Sequence, residues 1–252
     1  QIKSLNEINK DLSSENKMFR LLQGDVGSGK TIVSLLGAIN TINSGFQVAF
    51  MAPTEILARQ HFKLAKKIFP SFVNIELISG KSEYKEKKDI LKKLENNKID
   101  IIFGTHAIFQ KKVIFNKLGL IIIDEQHKFG VNQRKKLSDK GGDNCDVLLM
   151  TATPIPRTLT MTIYGDMDIS IIREKPKNRK PIKTYSKLEI NIEDVLKFIK
   201  KEIYLNNQIF WVCPLIEESK KLDHASAVKK FEYLEKKFPN QVCLLHGKTD
   251  LE

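Results

Sequence analysis

Short apolar runs alternate along this chain with longer stretches of helical period. The runs are Phe19–Leu22, Gln47–Met51, Val73–Ile78, Ile99–Phe103, Leu118–Ile123 and Val147–Met150. Continuous runs rich in Ile, Val and Leu, bounded by turn residues, mark parallel strands buried on both faces. Helical stretches are expected between them over Lys30–Asn43, Glu55–Phe69, Ser82–Asn96 and Gln133–Lys140. Strands alternating with helices imply an α/β fold with a doubly wound parallel sheet, whose ligands sit at the carboxyl ends of the strands.

The alternation breaks at Glu174–Ile182, a charged stretch with two prolines that reads as a linker. Beyond it, strands are expected at Lys183–Ser186, Gln208–Cys213 and Gln241–Leu245, and helices at Ile192–Leu205 and Asp223–Lys237. The resulting division is a first domain over 1–175, a linker over 176–182 and a partial second α/β domain over 183–252. That second domain holds fewer strands than such a sheet usually does, so the chain reads as a piece of a longer protein.

Composition narrows the partners. The 252 residues carry 42 Lys and Arg against 30 Asp and Glu, a formal charge of +12, which suits a polyanion. Runs such as Lys85–Lys93 and Lys197–Lys201 also fit a plain solvated helix face, so charge alone leaves nucleic-acid binding open. Three scattered cysteines form no CxxC pair and suggest neither a zinc site nor a disulfide framework. No apolar stretch approaches a membrane span and no signal-peptide pattern opens the chain, so a cytoplasmic protein is expected.

Three segments carry chemistry. Gly24-Asp25-Val26-Gly27-Ser28-Gly29-Lys30-Thr31 matches the phosphate-loop pattern GxxxxGK[ST] in full, after an expected strand and opening an expected helix. Its amides would curl around phosphate, Lys30 would reach the β and γ phosphates, and the Thr31 hydroxyl would face Mg²⁺. Asp124-Glu125-Gln126-His127 follows the apolar run Leu118–Ile123 and puts two carboxylates at a strand mouth. Asp124 is placed to hold Mg²⁺ and Glu125 to deprotonate water, although acidic residues there also cap helices. Thr151-Ala152-Thr153-Pro154 ends another run. Its hydroxyls could bridge a nucleotide site to a polymer, or simply start a helix.

In this order GDVGSGKT, MAPTEILARQH, GTHAIFQ, IIIDEQHKFGVNQR and MTATPIPRT resemble the motifs of superfamily 2 helicases of DExH type, which clamp ATP between two RecA-like domains. Within that superfamily the resemblance is to RecG-type DNA helicases, which remodel stalled forks and recombination junctions by branch migration. Mfd-type duplex translocases are the alternative; they share TATPIPRT but carry a different acidic motif. The resemblance implies ATP and Mg²⁺ as cofactors and branched DNA as partner. It puts Gln1 at the adenine-contacting position, and Gln126, His127, Thr151 and Thr153 in coupling hydrolysis to DNA. Pro53-Thr54-Glu55 and Gly104-Thr105-His106 would touch one strand's sugar-phosphate backbone. Thr54 and Thr105 also suit helix capping. Arg59, His61, Arg134 and Arg157 are further candidate backbone contacts, while Trp211, inside an apolar run, is expected in a core. The upstream wedge domain and the downstream arginine finger of the family are not in this sequence. Nucleotide binding with poor hydrolysis is therefore expected of this stretch alone.

Overall fold

The computed structural model describes residues 1–80, 84–110, 112–125, 145–153, 167–175, 180–213 and 227–245. The helix expected at 133–140, together with Gln126, His127, Arg134, Pro154 and Arg157, lies outside them. The chain divides into two compact units, Gln1–Lys180 and Pro181–Glu252.

The first unit opens with helix α1 (Ile2–Leu12) and strand β1 (Phe19–Gly24), then α2 (Lys30–Asn43), β2 (Gln47–Met51), α3 (Glu55–Ile68) and β3 (Ile75–Ile78). It continues with α4 (Tyr84–Glu95), β4 (Ile101–Gly104), a 3-10 turn (His106–Phe109), β5 (Leu118–Ile123), β6 (Asp146–Thr151) and β7 (Asp168–Ile172). The seven strands form one sheet in the order β3-β4-β2-β5-β6-β1-β7, every pair parallel. All carboxyl ends therefore share one edge.

Both faces of this sheet are covered, which is why its strands read as unbroken apolar runs. Leu22, Phe50, Phe103, Ile122 and Leu148 point to one side, where they pack with Ile8 of α1, Val33 and Leu35 of α2 and Ala65 of α3. Their neighbours Leu21, Ala49, Ile102, Ile121 and Leu149 point to the other, against Ile90 and Leu94 of α4. The period of two along each strand divides one apolar run between two cores. At the edge opposite the carboxyl ends, buried Gln47 is fully used. Its Nε2 donates to the carbonyls of Leu94 and Ile99, and its Oε1 accepts from the amides of Asn116 and Lys117.

Strands β3 and β4 begin two residues later than the apolar runs that contain them. Before the ladder starts, the Asn74 amide donates to the Asp100 carboxylate and the Asp100 amide returns a bond to the Asn74 carbonyl. Val73 and Ile99 are thus buried without being strand residues. Two elements were not read from the pattern at all, α1 and β7. Both are organised around Arg20 of β1, whose buried guanidinium donates to Asp11 of α1 and to the Ser170 hydroxyl of β7.

The second unit contains a 3-10 turn (Glu189–Asn191), helix α5 (Ile192–Tyr204) and helix α6 (Ala227–Lys237). Leu196 and Ile199 of α5 and Leu234 of α6 are buried. The strands expected at 183–186, 208–213 and 241–245 are corrected: none of these segments forms a strand. A parallel strand needs a hydrogen-bonding neighbour on the ladder and cover on both faces. Here Phe210, Val212 and Leu245 stand exposed, and no ladder partner occurs for them among the described residues. Trp211 is likewise only half buried, with the Lys230 ammonium 5.2 Å from its ring centroid, rather than sealed in a core.

Candidate nucleotide site

The phosphate loop runs from the last residue of β1 into the first of α2, the geometry that turns backbone N–H groups toward an anion. Gly27 and Gly29 have φ of 78° and 93°, values that suit glycine. Gly24 answers a different need. A Cβ there would lie 2.6 Å from Ser28 Oγ and 3.1 Å from Ile172 Cβ. The Lys30 ammonium lies within the loop, donating to the carbonyls of Gly24 at 2.8 Å and Asp25 at 3.1 Å. Burial pushes its pKa below the ordinary lysine value, opposed by the carboxylates of Glu125, Asp124 and Asp25. The loop and the acidic pair therefore share one electrostatic site, and the proton on Lys30 depends on both.

Gln1 takes part from a distance in sequence. It occupies the N-cap position of α1, and its side-chain Nε2 donates to the Ser28 carbonyl over 2.8 Å. The first residue is thus anchored on the phosphate loop. Ser28 Oγ, in contrast, is buried without a hydrogen-bond partner.

Asp124 and Glu125 follow β5 directly. Asp124 is buried, its amide donates to the Met51 carbonyl of β2, and its Oδ2 lies 2.8 Å from His61 Nε2. Glu125 has φ of 50°, a left-handed conformation that non-glycine residues hold only where surrounding structure imposes it. Strand β6 lies between β1 and β5, so Thr151 at its end stands between the phosphate loop and the acidic pair. Thr151 is buried and its hydroxyl lies 2.8 Å from that of Thr153, closing the turn that leaves the strand.

The segments expected to meet a polymer share the same edge. The amide of Ala52, after β2, donates to the carbonyl of Gly104 at the end of β4, which sets Pro53-Thr54-Glu55 beside Gly104-Thr105-His106. Thr54 and His106 are exposed. Thr54 caps α3, its hydroxyl accepting from the Leu57 amide at 3.3 Å. Thr105 precedes the 3-10 turn without making a side-chain cap. Arg59 is drawn onto Glu55, one turn earlier on α3, at 2.8 Å.

His61 does not face outward as a backbone contact would. It is buried against Asp124, and the reason is its position on α3. The buried residues of this helix are Ala58, His61 and Ala65, one face at helical spacing. That spacing was the available signal, and it places His61 toward the sheet.

The group these residues would hold is a nucleotide phosphate with Mg²⁺, and they fit it. Positive-φ glycines open the loop, a partly desolvated ammonium lies inside it, and a buried hydroxyl there has no protein partner. Thr31 at the start of α2 and Asp124 offer two oxygen donors, which suits Mg²⁺, a cation that keeps waters and phosphate oxygens as its other ligands. Among the described residues no cluster of three or more His, Cys, Asp or Glu side chains forms a self-contained metal site.

A doubly wound parallel sheet with a phosphate loop and an acidic pair on one edge defines the class of phosphate-loop nucleotide-binding proteins. Residues 1–162 match the DEAD/DEAH box helicase model, and the chain belongs to that family. Within the family it is similar to RecG. It is 48% identical over 250 residues to the "ATP-dependent DNA helicase RecG" of Streptococcus pneumoniae, covering 98% of this chain and 37% of that protein. It is also 48% identical over 251 residues to the RecG of Aquifex aeolicus, covering 98% and 32%. The chain thus spans about a third of the length of these relatives. A solved structure of RecG bound to a three-way DNA junction superposes with a TM-score of 0.74 at 39% identity, covering 93% of this chain and 30% of that one. The DEAD-box helicase Mss116, at 20% identity and a TM-score of 0.58 over 81% of this chain and 47% of its own, shares the fold. No described helix is long and apolar enough to cross a membrane.

Proposed function

We propose that this chain is the nucleotide-binding motor portion of a RecG-type, ATP-dependent DNA helicase that remodels forks and junctions by branch migration. Residues 1–175 form the motor's first domain in this reading, 176–182 its linker and 183–252 part of the second. The observation that carries it is the shared site of Lys30, Asp124 and Glu125 at the carboxyl edge of the sheet.

Bound ATP supplies the phosphoanhydride to be cleaved, and Mg²⁺ offsets the charge that develops on its phosphates. The loop from Gly24 through Gly27, Ser28 and Gly29 would cradle those phosphates with backbone amides, and Lys30 would reach the terminal pair. Thr31 and Asp124 would hold the cation, while Glu125 orients a water and takes its proton. Gln1, whose amide donates to the Ser28 carbonyl of the loop, would contact the base. Gln126, His127, Thr151 and Thr153 would relay the state of the site to the edge where Pro53-Thr54-Glu55 and Gly104-Thr105-His106 meet one DNA strand. Backbone contacts of this kind grip without reading sequence.

In the complete gene product, Glu125→Gln should still bind ATP but lose DNA-stimulated hydrolysis by about 100-fold or more, the scale of a lost general base. Hydrolysis within a fewfold of wild type would remove Glu125 from this role.

A further inference from the structure

His61 is a buried polar side chain that the motor reading leaves without a task. It sits two helical turns after Thr54, about 10 Å along α3, and its ring faces the sheet. Phe50 of β2 lies against it, ring centroids 4.8 Å apart and planes at 44°, and Phe50 in turn stacks on Phe103 at 5.0 Å. The imidazole plane is therefore fixed by packing. An ionised carboxylate only accepts, so the 2.8 Å bond to Asp124 requires the hydrogen on His61 Nε2.

The carboxylate end of an aspartate has a broad torsional preference, so its rotamer alone does not fix the plane of its oxygens. In Asp124 a directed hydrogen bond to Oδ2 supplies that constraint, while the backbone is held by the amide bond to Met51. Partners of this kind, one step behind a metal ligand, set its orientation and commonly change metal affinity about 10- to 100-fold.

We infer that His61 is a positioning residue that holds the Asp124 carboxylate in the orientation that receives Mg²⁺. The inference rests on the reading of Asp124 as a metal-holding residue. Because His61 belongs to the helix whose first turn carries Thr54 and Glu55, the same bond ties the proposed DNA edge to the metal carboxylate.

The test is the Mg²⁺ dependence of binding of a fluorescent ADP analogue to this chain, titrated in parallel with binding in EDTA. His61→Phe fills the space without a donor, and His61→Gln keeps an N–H donor. The expected result is that His61→Phe needs about 10- to 100-fold more Mg²⁺ for half-maximal binding. Its affinity in EDTA and its circular dichroism should stay as in wild type, with His61→Gln restoring much of the Mg²⁺ response. An unchanged Mg²⁺ requirement in His61→Phe overturns the inference, since packing alone would then suffice. Imidazole ¹⁵N shifts of the metal-free chain give a second readout: a hydrogen on Nε2 supports the bond, and one on Nδ1 alone overturns it. Asp124→Ala separates the two levels, because a Mg²⁺ response that survives it removes the metal role of Asp124 itself.

Discussion

Arg20 Nε donates to the Asp11 carboxylate over 2.6 Å, joining β1 to the helix that precedes it. The same guanidinium reaches the Ser170 hydroxyl at 2.9 Å and stands 3.6 Å from Asp168 on β7, with its side chain only 9% exposed. Ser170 passes the contact on to Glu7 of α1. One buried cation thus fixes α1, and with it the Gln1 amide on the phosphate loop.

Arg20→Ala should therefore be costly. Removing one partner of a buried ion pair costs roughly 3–5 kcal/mol, and the lower end applies here because the carboxylates keep some solvent. Urea unfolding should show the loss, with the nucleotide affinity of the folded variant also reduced through Gln1. A loss under about 1 kcal/mol, the level of a surface pair, would mean that the network does not hold α1.

Gly104→Ala tests the close approach at the end of β4. Its Cβ would meet the Ile78 carbonyl oxygen at 2.7 Å and Ile78 Cγ2 at 2.8 Å, and the first of these is backbone and cannot rotate away. Forcing a methyl group into a packed site costs about 1–3 kcal/mol. A thermal midpoint equal to wild type would contradict the geometry.

Cys145 should resist alkylation in the folded chain. It is fully buried, and burial pushes its thiol pKa up to about 12 from 9.0, so thiolate is scarce at pH 8. Mass spectrometry after iodoacetamide at pH 8 should find exposed Cys243 modified and Cys145 untouched until denaturant is added. The shift also has a sign for stability. The folded state keeps a proton that the unfolded chain releases above pH 9.0, so this thiol makes folding less favourable as pH rises from there toward 12.

Lys30 has the opposite sign. Its folded pKa is lowered by burial, so between that value and 10.5 the unfolded chain binds more protons and stability rises with pH. Lys30→Met removes this contribution along with the desolvated charge. Its thermal midpoint near pH 8 should be no lower than that of wild type, and the rise in wild-type stability toward pH 10.5 should be smaller in the variant. A clear loss of stability on substitution would show that the loop carbonyls and nearby carboxylates outweigh the burial cost.

Much of this architecture was legible because the sheet is buried on both faces. An apolar run such as Leu118–Ile123 marks a strand whichever way its side chains point, and the glycine spacing of 24–31 fixes a loop whose backbone does the work. What stayed hidden depended on contacts distant in sequence. Helix α1 carries Leu5, Ile8 and Leu12 at helical spacing, yet nothing local says that Arg20 will anchor it. Strand β7 is a short edge with a partly exposed pattern, held by Ser170. His61 looked like a surface cation until the Ala58 and Ala65 face showed which way it points. In the second unit, the segments 208–213 and 241–245 show the converse: apolar composition without a ladder neighbour among the described residues does not make a strand.

Binding of nucleotide phosphate by the loop from Gly24 to Thr31, through Lys30, underlies the whole proposed function. Its most direct test is titration of a fluorescent ATP analogue with Mg²⁺ against this chain and its Lys30→Ala variant at identical salt. Micromolar binding by wild type is expected, with at least a tenfold loss in the variant, about 1.4 kcal/mol or more. Equal affinity in the two chains, or no binding by either, would contradict it.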